Sequence, residues 1–118
     1  MFVRFAGVAQ LVLARRLFFQ AGQAFAARQL VEHLLLIPKR HVASLSDCDD
    51  SHADMLGKLL RLAPKLAAEF GCAVSYDADG VPSGGFKTMI NSGPNGGQEV
   101  YHLHLHVYGG PRPWRGQH

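Results

Sequence analysis

A chain of 118 residues, 47% hydrophobic and 18% charged, has the size and composition of one soluble globular domain with apolar residues enough for a single core. Its pI of about 9.1 does not mark a nucleic-acid binder: residues 1–31 hold Arg4, Arg15, Arg16 and Arg28 and no acid, residues 32–118 carry a net −1, and no basic stripe is interleaved with aromatics. No apolar run reaches the ~18 residues of a membrane span, and Cys48 and Cys72, far apart and outside any CxxC pair, point to reduced thiols in a cytoplasmic protein.

Residues 1–31 are rich in Ala, Phe, Gln and Arg. Phe2, Phe5, Val8 and Val12 have rough helical spacing, which predicts a surface helix. The texture then changes. Leu34-Leu-Leu-Ile37, ended by Pro38, reads as a buried strand, with Lys39-Arg-His41 as a turn or strand start. Ser46-Asp-Cys-Asp-Asp-Ser51 is a helix-entry cluster offering Asp49, Asp50 or Ser51 as N-cap.

From His52 to Phe70, Met55, Leu56, Leu59, Leu60, Ala63, Leu66, Ala67 and Phe70 recur with the period of a long amphipathic helix. Pro64 should bend it and Gly71 should cap it. Val74–Tyr76 is a short strand or loop approach, and 77–80 and 82–85 are turn-rich. Phe86–Asn91 alternates as a strand does, and Ser92-Gly-Pro-Asn-Gly-Gly97 is a tight loop.

After that loop comes Tyr101-His-Leu-His-Leu-His-Val-Tyr108. On a strand, alternate residues share a face. His102, His104 and His106 would then line one face about 7 Å apart, with Tyr101, Leu103, Leu105 and Val107 on the other. A glycine-rich turn lets backbone N–H groups converge into an anion nest, and Gln98 adds a side-chain amide. Imidazoles beside such a nest suit a phosphoryl group: one histidine attacks phosphorus, and others hold its oxygens or protonate a leaving group. A zinc site using His-x-His with His33 or His41 is the alternative. Neither an HExxH helix nor a Cys pair completes it. A histidine-bearing edge strand without chemistry is the blandest reading, and three histidines on one face beside a glycine-rich loop argue against it.

His102-Leu-His-Leu-His-Val resembles the histidine triad motif. Gly84–Gly110, with Gly-Gly-Gln-Glu-Val-Tyr at 96–101, and His33-Leu-Leu-Leu-Ile-Pro-Lys-Arg-His41 resemble the Hint branch of that family. The resemblance covers about residues 32–114. It implies an α+β fold with a HIT-like antiparallel sheet and a long amphipathic helix. It also implies a cytoplasmic homodimer and a nucleotide hydrolase or transferase acting on purine nucleoside 5′-phosphoramidates or related adenylates, with no metal or other cofactor. By position, His104 matches the nucleophile that takes up the nucleoside monophosphate. His106 matches the neighbour that contacts phosphate and leaving group, His102 the residue whose backbone orients the nucleophile, and His33 a supporting fourth histidine. Asn91, Gly97, Gln98 and Val100 match the phosphate-contacting loop, and Leu35 matches an apolar position of the base pocket. Glu99 replaces a hydroxyl residue on the leaving-group side. Trp114 matches a C-terminal aromatic that reaches substrate across the dimer.

The N-terminus departs from that pattern. The Asp that binds ribose in the family falls at Phe25, and prolines of the same segment fall at Arg28 and Val31. This divides the chain into an atypical segment, 1–31, and a HIT-like domain, 32–118. A misplaced start or a reading-frame shift would account for the break. The reading the sequence supports is a phosphoramidase working through His104, with an AMP-like purine nucleotide as its substrate. The alternatives are a nucleotide-binding or interaction protein with little turnover and, third, a zinc-binding module. Neither a nucleic-acid polymer nor a membrane is an expected partner.

Overall fold

The computed structural model describes the backbone of residues 3–6, 9–20 and 28–110, and side chains from residue 33 to 110. Among these described residues, seven strands and one long helix follow in the order β1 (Val3–Ala6), β2 (Ala9–Gln20), β3 (Arg28–Pro38), α1 (Ala53–Glu69), β4 (Val74–Tyr76), β5 (Pro82–Gly84), β6 (Phe86–Met89) and β7 (Leu105–Gly109). Five of the strands make one sheet in the order β1-β2-β3-β7-β6, and β4 and β5 pair separately. Every pairing is antiparallel. The fold is therefore α+β, as expected.

The helix expected near the N-terminus is not there: its place is taken by β1 and β2. Segments such as Leu11-Val-Leu13 and Leu17-Phe-Phe19 are built from branched and aromatic residues that fit a pleated surface. β2 pairs with β3 from Ala9↔Pro38 to Gln20↔Arg28, with one irregularity between Leu13 and Arg15. A long ladder to a partner distant in sequence outweighs a loose helical spacing of four apolar residues. Pro82–Ser83–Gly84, expected as turn, is likewise a strand, in register with Val74–Tyr76. Asp77 makes the connection compact by accepting the backbone N–H groups of Asp79 and Val81 on its side chain.

The run Leu34–Ile37 belongs to a longer strand that is half-buried. Leu34 and Leu36 are inside, whereas His33, Leu35 and Ile37 are only partly covered. Leu34 pairs with Val107 and Leu36 with Leu105, so the apolar faces of β3 and β7 coincide. On that face lies α1, which buries Met55, Leu59, Ala63, Leu66 and Ala67 against Leu34, Leu36, Leu103, Leu105 and Val107. Each fully buried leucine in such a cluster is worth about 1.5–3 kcal/mol in transfer free energy. Leu60, in phase on paper, is exposed.

The helix is closed at both ends. Asp49 accepts the N–H of Ser51, and His52 reaches back so that its Nδ1 accepts the N–H of Asp49, a capping box around one short 3-10 turn. The Ser51 hydroxyl and N–H hold the Asp49 carboxyl below the usual carboxylate range. At the other end, Cys72 N–H bonds to Ala67 and Gly71 N–H to Ala68, a Schellman pattern. Pro64 does not break the helix. It lies on the exposed side, where water can satisfy the carbonyl it leaves unpaired.

Cys72 then packs onto β7. A Cβ built on Gly109 would lie 2.9 Å from the Cβ of Cys72 and closer still to its sulfur. Glycine is the only residue that lets the helix end approach this strand so closely. Neither cysteine is in a disulfide.

Candidate active site

The histidine segment keeps its alternation, although regular strand begins only at Leu105, so that His102 and His104 precede β7. Burial alternates from His102 to Gly109: Leu103, Leu105, Val107 and Gly109 are inside, and His102, His104, His106 and Tyr108 are partly exposed on the other face. Tyr101 departs from the expected pattern. It is 46% exposed because the chain bends before it can join the core.

Each ring is held from a different part of the chain. His102 Nε2 donates to the carbonyl of Pro38, the last residue of β3, at 2.9 Å. His104 Nδ1 donates to the carbonyl of His102 at 2.8 Å. A carbonyl can only accept, so the proton of a neutral His104 lies on Nδ1 and its Nε2 carries a free lone pair. His33 joins the row from β3, its Nε2 2.9 Å from Nδ1 of His106. The His104 and His106 rings meet edge to face with centroids 4.9 Å apart. Burial, with His104 and His33 adding to it, lowers the pKa of His106 to about 4, so the ring is neutral at physiological pH.

Two residues to which the sequence reading gave no part in phosphoryl chemistry complete this face. Tyr108 stacks on His33 with centroids 4.2 Å apart and lies nearly parallel to His106. It stands two residues beyond His106, so the alternation that singled out the histidines also places it. His41 sits edge-on to His102, and its Nε2 donates to the carbonyl of Tyr101. Leu35 is the register partner of His106, which brings the apolar residue expected in a base pocket beside the histidines.

The loop at 92–97 turns through a 3-10 segment, Pro94–Gly96, flanked by Gly93 and Gly97. Both glycines have positive φ, at 72° and 82°, a region that side chains with a Cβ resist. Asn91 lies beside this turn, its amide nitrogen 3.8 Å from where a Cβ on Gly97 would be. Gln98 behaves differently from the expectation that its amide would be offered to a phosphate. It is buried, its Oε1 accepts the Gly93 N–H, and its Nε2 donates to the carbonyls of Ala43 and Val100. The amide therefore braces the loop from inside, a role invisible until Ala43 is brought alongside. Glu99 and Val100 are exposed at the loop's exit. Trp114, the expected cross-dimer aromatic, and Phe25, at the ribose position, lie outside the described residues.

Among the described residues, no group of three or more His, Cys, Asp or Glu side chains is arranged to hold a metal ion. The histidine rings are hydrogen-bonded and stacked on one another and do not converge on a point. A surface cavity of about 330 Å³ lined by Lys39, Arg40, Ser51, Asp54, Met55 and Lys58 contains none of them. Among the same residues, no helix is long and apolar enough to cross a membrane.

The sequence model of the HIT domain matches residues 11–112, reaching upstream of residue 32, where the motif resemblance stops. The chain is 44% identical over 79 residues to "Protein HitA" of Neisseria gonorrhoeae, covering 67% of this chain and 64% of that protein. It is 32% identical over 82 residues to the purine nucleoside phosphoramidase of Escherichia coli K12, covering 70% and 61%. The chain thus spans somewhat less than two thirds of the length of these relatives. A solved HIT family hydrolase from Legionella pneumophila superposes with a TM-score of 0.58 at 34% identity, covering 71% of this chain and 75% of that one. With the triad, its loop and its sheet in place, the chain belongs to the HIT domain family, in the Hint branch that its motifs resemble.

Proposed function

We propose that this protein is a nucleotide hydrolase or transferase that cleaves purine nucleoside 5′-phosphoramidates or related adenylates through a covalent nucleotidyl intermediate on His104. One observation carries the reading: the His102 carbonyl fixes the Nδ1 proton of His104 and so leaves Nε2 as a directed nucleophile on an accessible face. A relative 32% identical to it, named a purine nucleoside phosphoramidase, supports this choice of substrate class.

In the proposed reaction, His104 Nε2 attacks phosphorus, and a phosphorus–nitrogen bond to the ring forms as the bond to the leaving amine breaks. The amine departs with a proton from His106, protonated once substrate is bound, and the water of the second step returns that proton. Water then cleaves the nucleotidyl–histidine bond and releases the nucleoside monophosphate. His106 is the ring placed to serve the leaving group. In the proposed tautomer the Nε2 of His33, 2.9 Å from Nδ1 of His106, donates to it, so that the Nε2 of His106 carries a hydrogen. The negative charge of an arriving phosphoramidate offsets the burial that keeps this ring neutral, and so raises its basicity where a proton is needed. Phosphoryl transfer relies mainly on position and charge. The loop at Asn91 and Gly97–Val100 supplies both, with Gln98 acting as its brace and Glu99 on the leaving-group side. Leu35 faces the base. The same reading assigns a homodimer in the cytoplasm, in which Trp114 reaches the partner's substrate, and no catalytic metal.

Hydrolysis of adenosine 5′-phosphoramidate tests the proposal. Turnover is expected in the presence of a chelator and should vanish in His104→Ala. AMP binding without turnover would replace the enzyme by a nucleotide-binding protein. Activity lost to chelator and restored by zinc would overturn the metal-free mechanism.

A further inference from the structure

Tyr108 is a partly buried aromatic with two histidine neighbours and no part in the reaction just described. Cross-strand register sets it directly opposite His33, and alternation sets it next to His106 on the same face of β7. Its ring lies 4.2 Å from that of His33 at 19°, and 5.8 Å from that of His106 at 8°. The two imidazoles are themselves tilted by only 25° and joined by the 2.9 Å contact between His33 Nε2 and His106 Nδ1. One flat ring thus lies nearly parallel to both members of a hydrogen-bonded pair. Without such a wall, an imidazole on a strand rotates about χ2 with little cost. The hydrogen bond would then hold only as long as both rings pointed the right way.

We propose that Tyr108 is a positioning residue: its ring clamps His33 against His106, fixing the direction of the His33–His106 hydrogen bond and closing that side of the pair to water. The inference rests on the assignment of His106 to the reacting group. Groups from several elements lie around the pair. His104 faces His106 from the segment before β7. Lys87 and Met89 on β6 are the register partners of Tyr108 and His106. Leu35 on β3 pairs with His106, and Arg15 on β2 is the backbone partner of His33. Among the described side chains, the tyrosine is the one stacked on His33 other than His106 itself. Burial, the leading cause of the low basicity of His106, also raises the Tyr108 hydroxyl above its ordinary value, as expected of groups sharing one dry wall.

Two substitutions separate ring from hydroxyl. Tyr108→Phe keeps the ring, and Tyr108→Thr removes it while keeping a residue that suits a strand. Histidine ring protons are followed by NMR through acid pH, alongside kcat and KM for adenosine 5′-phosphoramidate. The Phe variant should match the wild type in every readout. In the Thr variant His106 should titrate nearer its ordinary 6.5 than about 4, and kcat should fall about tenfold with KM little changed. In the wild-type protein, the tyrosine ring should shift the His33 ring protons upfield, a measurement that stands even if the Thr variant fails to fold. Equal impairment of Phe and Thr, a Thr variant indistinguishable from wild type, or an absent upfield shift would each overturn the clamp. A wild-type protein without phosphoramidate turnover would overturn the proposed function alone, leaving the ring shifts and titration to decide on Tyr108.

Discussion

The two faces of the segment Leu103–Gly109 make opposite demands on the same backbone. On one face Leu103, Leu105 and Val107 are each only 1% exposed and have no task but to fill space under α1. On the other, His104, His106 and Tyr108 are partly open, and the imidazole nitrogens are spent on the His102 carbonyl, on His33 and, in the proposed reaction, on substrate. Apolar contact is non-directional, so the inner face tolerates a swap of similar volume. The outer face depends on which nitrogen carries a proton, which no volume-conserving swap preserves. A strand of period two keeps these requirements apart, and a slip of one residue would exchange them.

The sharpest way to break this comparison is to truncate one residue on each face. His104→Ala should lower turnover roughly a thousandfold or more while changing unfolding free energy by no more than about 0.5 kcal/mol. Leu105→Ala should do the reverse, costing about 2–5 kcal/mol in urea unfolding, with kcat per folded molecule nearly unchanged. If either variant loses stability and turnover together, the faces are not independent.

A smaller effect is expected one step away, at the brace of the loop. Gln98→Glu keeps the acceptor for Gly93 N–H but sets a carboxylate against the carbonyls of Ala43 and Val100. AMP affinity, read by calorimetry, should fall about tenfold, the scale of one lost buried hydrogen bond. Unaltered affinity would mean that the loop holds its shape without this amide.

The smallest effect concerns pH. His106 is harder to protonate in the folded chain, at about 4, than at the ordinary 6.5. Between these values the unfolded chain binds more protons, so stability should rise with pH across that window and fall on acidification. His106→Gln should flatten this dependence in urea melts taken between the two values. An unchanged slope would trace the acid sensitivity to another group.

Much of this arrangement could be read from residues in a line. The alternation at 102–108, the helix with its capping residue and Gly71, and the glycine loop are local patterns whose physics is written within a few positions. What escaped was non-local. β1 and β2 form because a partner strand exists, and the partner is not apparent in their own spacing. The inward turn of Gln98 depends on Ala43, far back in the chain. Alternation alone puts Tyr108 on the histidine face, but its stacking on His33 depends on β3. Tyr101 failed in the other direction: its phase was right, but a bend removed it from the core.

The close seat of Cys72 on Gly109 turns the thiol into a clock. A reagent cannot reach that sulfur while the end of α1 rests on β7, so the rate of labelling counts how often the helix lifts from the strand that carries the histidines. Cys48, more open to solvent, would react without waiting for that event and supplies the zero of the time scale within the same molecule.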